Sequence, residues 1–153
     1  MSQALASTSA KSTLPRECGE SRTRVGVDVQ GVDQIAVSIV DFGERYVSRV
    51  FNAEEVAHAR RHPSTAASYL AGRFAAREAV IKVLNVDSAQ AVWRDIDIVA
   101  NPTTPRVVLC DSALELANSL GITEILLSVS HDCHAATAVA VADVISTSAR
   151  RSS

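Results

Sequence analysis

The stretch Gly72–Leu84, GRFAAREAVIKVL, leaves the chain little choice of fold. Wound as a helix at about 100° per residue, it is apolar around most of its circumference. Phe74 and Ile81 flank Glu78 and Lys82 on one side, and Ala75 and Ala79 flank them on the other. A helix of that kind is a core helix, long and central, with shorter elements packed around it. Glu78 and Lys82 then sit among apolar neighbours. By spacing alone, Glu78 and Lys82 are either an i,i+4 ion pair in its favoured orientation, contributing about 0.2–0.5 kcal/mol at a surface, or charges held for chemistry.

The rest of the chain supplies the surrounding layers. Val25, Val27 and Val29 alternate with Gly26, Asp28 and Gln30, which predicts a strand with Asp28 opposite the valines. Asp33 caps a following helix through Ile35, Val37, Ile39 and Val40, broken near Phe42–Gly43 and continuing toward Val50. Asn52 followed by Glu55 reads as a capping box for a short helix ending at Arg60, Arg61 and His62, closed by Pro63. Ser64 or Thr65 caps the long helix, which runs to about Leu84.

After Trp93 the pattern turns to strands around Ile96 and Ile98, a turn at residues 101–105, and a strand over Arg106–Leu109. Asp111 caps a helix that Gly121 terminates. A hairpin pairs residues 125–130 with 136–141 and carries His131, Asp132, Cys133 and His134 at its tip. Strands bracket a helical block, so the fold class is α+β with a mainly antiparallel sheet. Residues 1–23, rich in Ser and Thr and without periodicity, read as a disordered leader. Residues 24–145 form the domain and 146–153 a frayed tail.

Composition narrows the function classes. A chain of 153 residues, 47% apolar, buries one ordinary core. A formal charge of −2 and 4% aromatic residues argue against a nucleic-acid partner. No run approaches the roughly 18 apolar residues that span a bilayer, so no membrane partner is expected. Cys18, Cys110 and Cys133 are an odd count without paired spacing, which points to a reducing, cytoplasmic setting. His131, Cys133 and His134 lack the separated second pair of a structural zinc site.

Charged groups remain at positions where the pattern predicts burial: Asp28, the Glu78–Lys82 pair, and His131 with Asp132. Two carboxylates suit a hard cation such as Mg²⁺, which is held by one or two of them plus substrate phosphates. A lysine one helical turn along suits a phosphate. Residues 26–29 (GVDV), 42–55 (FGERYVSRVFNAEE), 73–84 (RFAAREAVIKVL), 93–99 (WRDIDIV) and 128–132 (SVSHD) together resemble holo-acyl-carrier-protein synthase, the short type of 4′-phosphopantetheinyl transferase.

The resemblance implies transfer of the phosphopantetheine arm of coenzyme A to a serine of an acyl carrier protein, with release of 3′,5′-ADP. It implies Mg²⁺ on Asp28 and Glu78 and a homotrimer with sites between protomers. It also places Lys82 near the pyrophosphate and His131 at the family's histidine position, with Arg73 and Pro105 as further coenzyme A contacts. A metal-bound water, Asp132 or a carboxylate ligand would take the serine proton. Arg45, Arg49 and Phe51 fall where the family docks its carrier, and acyl carrier proteins are acidic. The chain departs from the family at Asn85-Val86-Asp87 (commonly Gly-Thr-Gly), at Gln30-Gly31 and at Thr103-Thr104-Pro105. The loss of the glycine loop keeps a second reading open, a non-catalytic coenzyme A or nucleotide-binding module on the same scaffold.

Overall fold

The computed structural model describes residues 22–86 and 92–145. In chain order the elements are β1 (Arg22–Gly31), α1 (Val32–Val50), α2 (Ala53–Arg61), α3 (Ala66–Leu84), a single 3₁₀ turn (Trp93–Asp95), β2 (Ile96–Val99), β3 (Arg106–Leu109), α4 (Asp111–Ser119), β4 (Leu126–His131) and β5 (Ala135–Val144). Strand β1 starts at Arg22, inside the expected leader. The rest of that leader with Cys18, Asp87 of the loop after α3, and the tail from residue 146 lie outside the described residues.

One sheet has the order β1-β5-β4 and a second pairs β2 with β3, and every pairing is antiparallel. Helix α3 lies across one face of the larger sheet. That approach depends on small residues: Ala136, Ala138, Ala140 and Ala142 of β5 all face the helix and are buried. Gly26 of β1 lies so close to α3 that a Cβ there would overlap the Ala79 carbonyl. The main core joins Ala75, Ala76, Ala79, Val80 and Val83 of α3 to this alanine face, to Ile96 and Ile98 of β2, and to Ala113 and Ala117 of α4. A second cluster packs Ile35, Val47 and Phe51 from α1 and its end, with Ala59 of α2, against Leu70 and Ala71 of α3.

Local sequence signals fare unevenly. Helix α1 carries the expected break, with Gly43 at φ 55°, ψ −144°. The capping box at Asn52 is complete: its Oδ1 accepts from Glu55 N at 2.9 Å, and Glu55 Oε2 accepts from Asn52 N at 3.0 Å. Asp33 and Asp111 are not caps. The N-caps are Gly31 and Cys110, and Asp33 Oδ1 accepts from Gln34 N inside the first turn. Helix α3 follows Thr65, which makes no side-chain cap bond. It stops at Asn85 in the left-handed region (φ 55°, ψ 49°), whose N–H bonds the Ile81 and Lys82 carbonyls. Asparagine tolerates that conformation, so the chain turns here without the family's glycine. Among the described residues no helix is long and apolar enough to cross a membrane.

Candidate active site

The alternation of β1 places Gly26, Asp28 and Gln30 toward α3 and turns the valines outward, the reverse of an apolar face packed on the core. Asp28 therefore faces the helix rather than solvent. Lys82 reaches across from α3 to meet it: Nζ donates to Asp28 Oδ1 at 2.8 Å and to the Val27 carbonyl at 2.6 Å. The lysine side chain is 47% exposed and the aspartate 18%. Lys82 thus pairs across to the strand.

Glu78 lies one helical turn before Lys82, on the same face of α3. Burial pushes its carboxyl above the ordinary value, the neighbouring Asp28 carboxylate pushes it further, and Lys82 opposes both. Two carboxylates within electrostatic reach of one lysine leave an uncompensated negative charge. Oxygen donors from two rigid elements with such a deficit fit a hard divalent cation, so Asp28 and Glu78 suit the Mg²⁺ that the resemblance implies.

Glu78 opens onto a groove of about 860 Å³ whose walls include Arg45 and Arg49 of α1, Phe74 of α3, and Trp93 and Arg94. Both arginines expected at a partner surface therefore share a groove with the helix glutamate. Phe51 does not: its ring is 4% exposed and stands edge-on to Tyr46 at 6.1 Å, so it seals the α1–α2 core instead of offering a contact. Arg94 and Trp93 enter this wall from a 3₁₀ turn with no periodic signal. Trp93 packs on Phe74 at 4.9 Å and donates its indole N–H to the Val50 carbonyl at 2.8 Å.

His131, Arg73 and Pro105 gather in a second, narrower groove of about 190 Å³ with Tyr69, Gly72, Asn101 and Val129. Arg73 is held over the Tyr69 ring at 4.9 Å, with Nη1 donating to the Ile98 carbonyl at 3.4 Å, and His58 also stacks on Tyr69, at 4.1 Å between ring centres. Pairing in the sheet relates the two grooves. Asp28 lies opposite Ala138, Ala138 opposite Val129, and His131 is two residues beyond Val129, so Asp28 and His131 share one sheet face on strands about 10 Å apart. Asp132 is committed elsewhere. Its Oδ1 accepts from His134 N at 2.7 Å and Ala135 N at 2.9 Å, closing the hairpin turn. Those Ala135 and His134 bonds hold its carboxyl below the usual carboxylate range, which makes it a poor base.

The 4′-phosphopantetheinyl transferase superfamily model matches residues 24–136, a span that contains every one of these side chains. The chain belongs to this superfamily. It is 41% identical over 122 residues to a holo-[acyl-carrier-protein] synthase of Moorella thermoacetica, covering 77% of this chain and 91% of that one. It is 37% identical over 120 residues to the Chlamydia trachomatis (serovar D) protein of the same name, covering 78% and 98%. Among solved structures it resembles Helicobacter pylori holo-[acyl-carrier-protein] synthase in complex with coenzyme A, at 27% identity and a TM-score of 0.64, covering 80% of this chain and 99% of that one. In this phosphopantetheinyl transferase, Asp28 of β1 meets the side of α3 that carries Glu78 and Lys82.

Proposed function

We propose that this transferase moves the 4′-phosphopantetheine group of coenzyme A onto a serine of an apo acyl carrier protein, releasing 3′,5′-ADP. One arrangement carries the reading: Asp28, Glu78 and Lys82, from the matching family motifs, converge where a groove flanked by Arg45 and Arg49 begins. The serine hydroxyl gives its proton to a carboxylate of the site and its oxygen attacks the β-phosphorus, the bond to the 3′,5′-ADP oxygen breaks so that 3′,5′-ADP leaves, and charge spreads over the phosphoryl oxygens. Mg²⁺ held by Asp28 and Glu78 would supply fixed positive charge to those oxygens.

The chain's own side chains do the rest. Lys82 is exposed enough to turn from Asp28 to a phosphate and meet the charge that builds there. Arg73, restrained by Tyr69 and the Ile98 carbonyl, forms with His131 and Pro105 a narrow cationic pocket suited to the nucleotide's phosphates. Arg45 and Arg49 face an acidic carrier surface.

The unit is a homotrimer in this reading, and the outward sheet face supports it. Val25, Val27 and Val29 of β1 are 58%, 47% and 64% exposed, and Leu126 of β4 is 62% exposed. Val139 and Val141 of β5 lie opposite Val27 and Val25. A contiguous apolar face of this kind marks an association surface.

The test is 3′,5′-ADP release from coenzyme A and Mg²⁺, with and without apo carrier. Release that requires the carrier is expected. Release without it makes the protein a hydrolase, and binding without release makes it a coenzyme A-binding module.

A further inference from the structure

Beneath the groove lies a second set of charges. Arg77, the residue before Glu78, and Glu55 of α2 are each 2% exposed. Arg77 Nη2 donates to Glu55 Oε2 at 2.9 Å and Nε donates to the Ile96 carbonyl at 3.0 Å, and the guanidinium sits 5.9 Å from the centre of the Trp93 ring. Glu55 Oε2 also closes the capping box at Asn52, and Asn52 Nδ2 donates to Asp97 Oδ1 at 3.1 Å. One guanidinium therefore ties together α3, the corner between α1 and α2, and β2. Trp93 fastens the same corner through the Val50 carbonyl. These are the pieces that carry Glu78, Arg49 and Trp93 into the groove wall.

Stability does not account for the pair. Burying two charges costs desolvation that their attraction seldom exceeds, and well-packed apolar residues of similar volume often hold a fold as well or better. Here the balance is poorer still, because among the described residues Glu55 Oε1 and Arg77 Nη1 are buried and meet no hydrogen-bond partner. What the pair supplies that apolar packing does not is direction: three elements fixed at bonded angles around one planar group.

We propose that the Arg77–Glu55 pair is a positioning device that sets the carrier-facing end of α1 against Glu78. It touches no substrate and acts through Arg49 and Val50. The proposal rests on carrier-dependent transfer being the reaction.

Its test replaces both charges in the full chain, Glu55→Leu with Arg77→Met, and compares melting, steady-state kinetics and backbone amide exchange over residues 44–52. The expected result is a melting temperature at or above that of the original chain and an unchanged KM for coenzyme A. The carrier kcat/KM falls by roughly one to two powers of ten, and exchange over residues 44–52 becomes faster. Arg77→Lys, which keeps the charge opposite Glu55 but loses the fork, recovers part of the carrier kcat/KM. A double variant that melts normally with its carrier kcat/KM within about twofold and its exchange unchanged overturns the proposal. A double variant that fails to fold overturns it too, since the pair is then needed for the fold itself, and Arg77→Lys no better than the double removes the role of charge. If the unaltered chain transfers nothing to any carrier, the reaction fails instead, while melting and exchange still decide whether the pair holds α1 to α3.

Discussion

Replacing Lys82 with methionine separates an ion pair from a phosphate contact, because the two roles predict losses of very different size. At 2.8 Å from Asp28 Oδ1, the gross attraction is about 1.5 kcal/mol at the dielectric of water and about 6 kcal/mol at an effective value near 20. The lysine side chain is 47% exposed, so solvent screening and lost side-chain freedom reduce the net to about 1 kcal/mol or less. Its bond to the Val27 carbonyl adds a comparable amount, about 1 kcal/mol. Lys82→Met should therefore destabilise the fold by about 1–2 kcal/mol, which lowers the melting temperature by roughly 4–8 °C in a domain of this size. Turnover should fall by roughly 10²–10³-fold, the usual cost of removing one donor aimed at developing charge. Initial rates of 3′,5′-ADP release at saturating coenzyme A and carrier, taken well below the melting transition, measure the second loss independently of the first. A rate within a few-fold of the original, alongside the expected drop in melting temperature, would mean that Lys82 is only a strut between α3 and β1.

The remaining predictions bear on other parts of the account. Glu78→Gln should abolish turnover while leaving the metal-free fold as stable or more so. The Glu78 carboxyl is raised above its unfolded value, so its contribution to stability is present at low pH and is lost as pH rises through that raised value. The stability difference between variant and original chain, from urea melts across the carboxylate range, should move in the variant's favour as pH rises. If the chain forms the proposed trimer, Val27→Asp on the outward sheet face should sediment as a monomer where the original chain sediments as a trimer, and a variant that stays trimeric removes that face from the interface. Gly26→Ala should lose about 1–3 kcal/mol by driving a methyl into the Ala79 carbonyl; unchanged urea stability would refute the close approach of β1 to α3.

Signals with a single local cause were legible in the sequence. The break at Gly43, the capping box at Asn52 and the long apolar helix to Leu84 each depend on a few neighbouring residues, and the structure contains all three. The alternation of β1 placed Asp28 opposite the valines correctly. It did not say which face meets the core, because period two is symmetric and here glycine and aspartate face the helix while the valines point outward. The aspartate–lysine contact was hidden for the same reason, since it joins residues 54 apart. Phe51 follows Arg45 and Arg49 at the end of α1 and looked available to a partner, yet the chain turns there and folds its ring inward. Arg77 lay inside the most informative stretch, where spacing alone gives it no role. Only the placement of α2 reveals that it is buried against Glu55. Asp132 followed a histidine of interest, but its spacing to Ala135 is that of a turn residue, which claims its carboxylate.

The most direct measurement of the central claim is the intact mass of an apo acyl carrier protein after incubation with the chain, coenzyme A and Mg²⁺. The carrier should gain the mass of one phosphopantetheine group on its serine, with an equal amount of 3′,5′-ADP released, and Glu78→Gln should leave the carrier unchanged. Carriers of several kinds left unmodified by the unaltered chain, with coenzyme A intact, would contradict the claim.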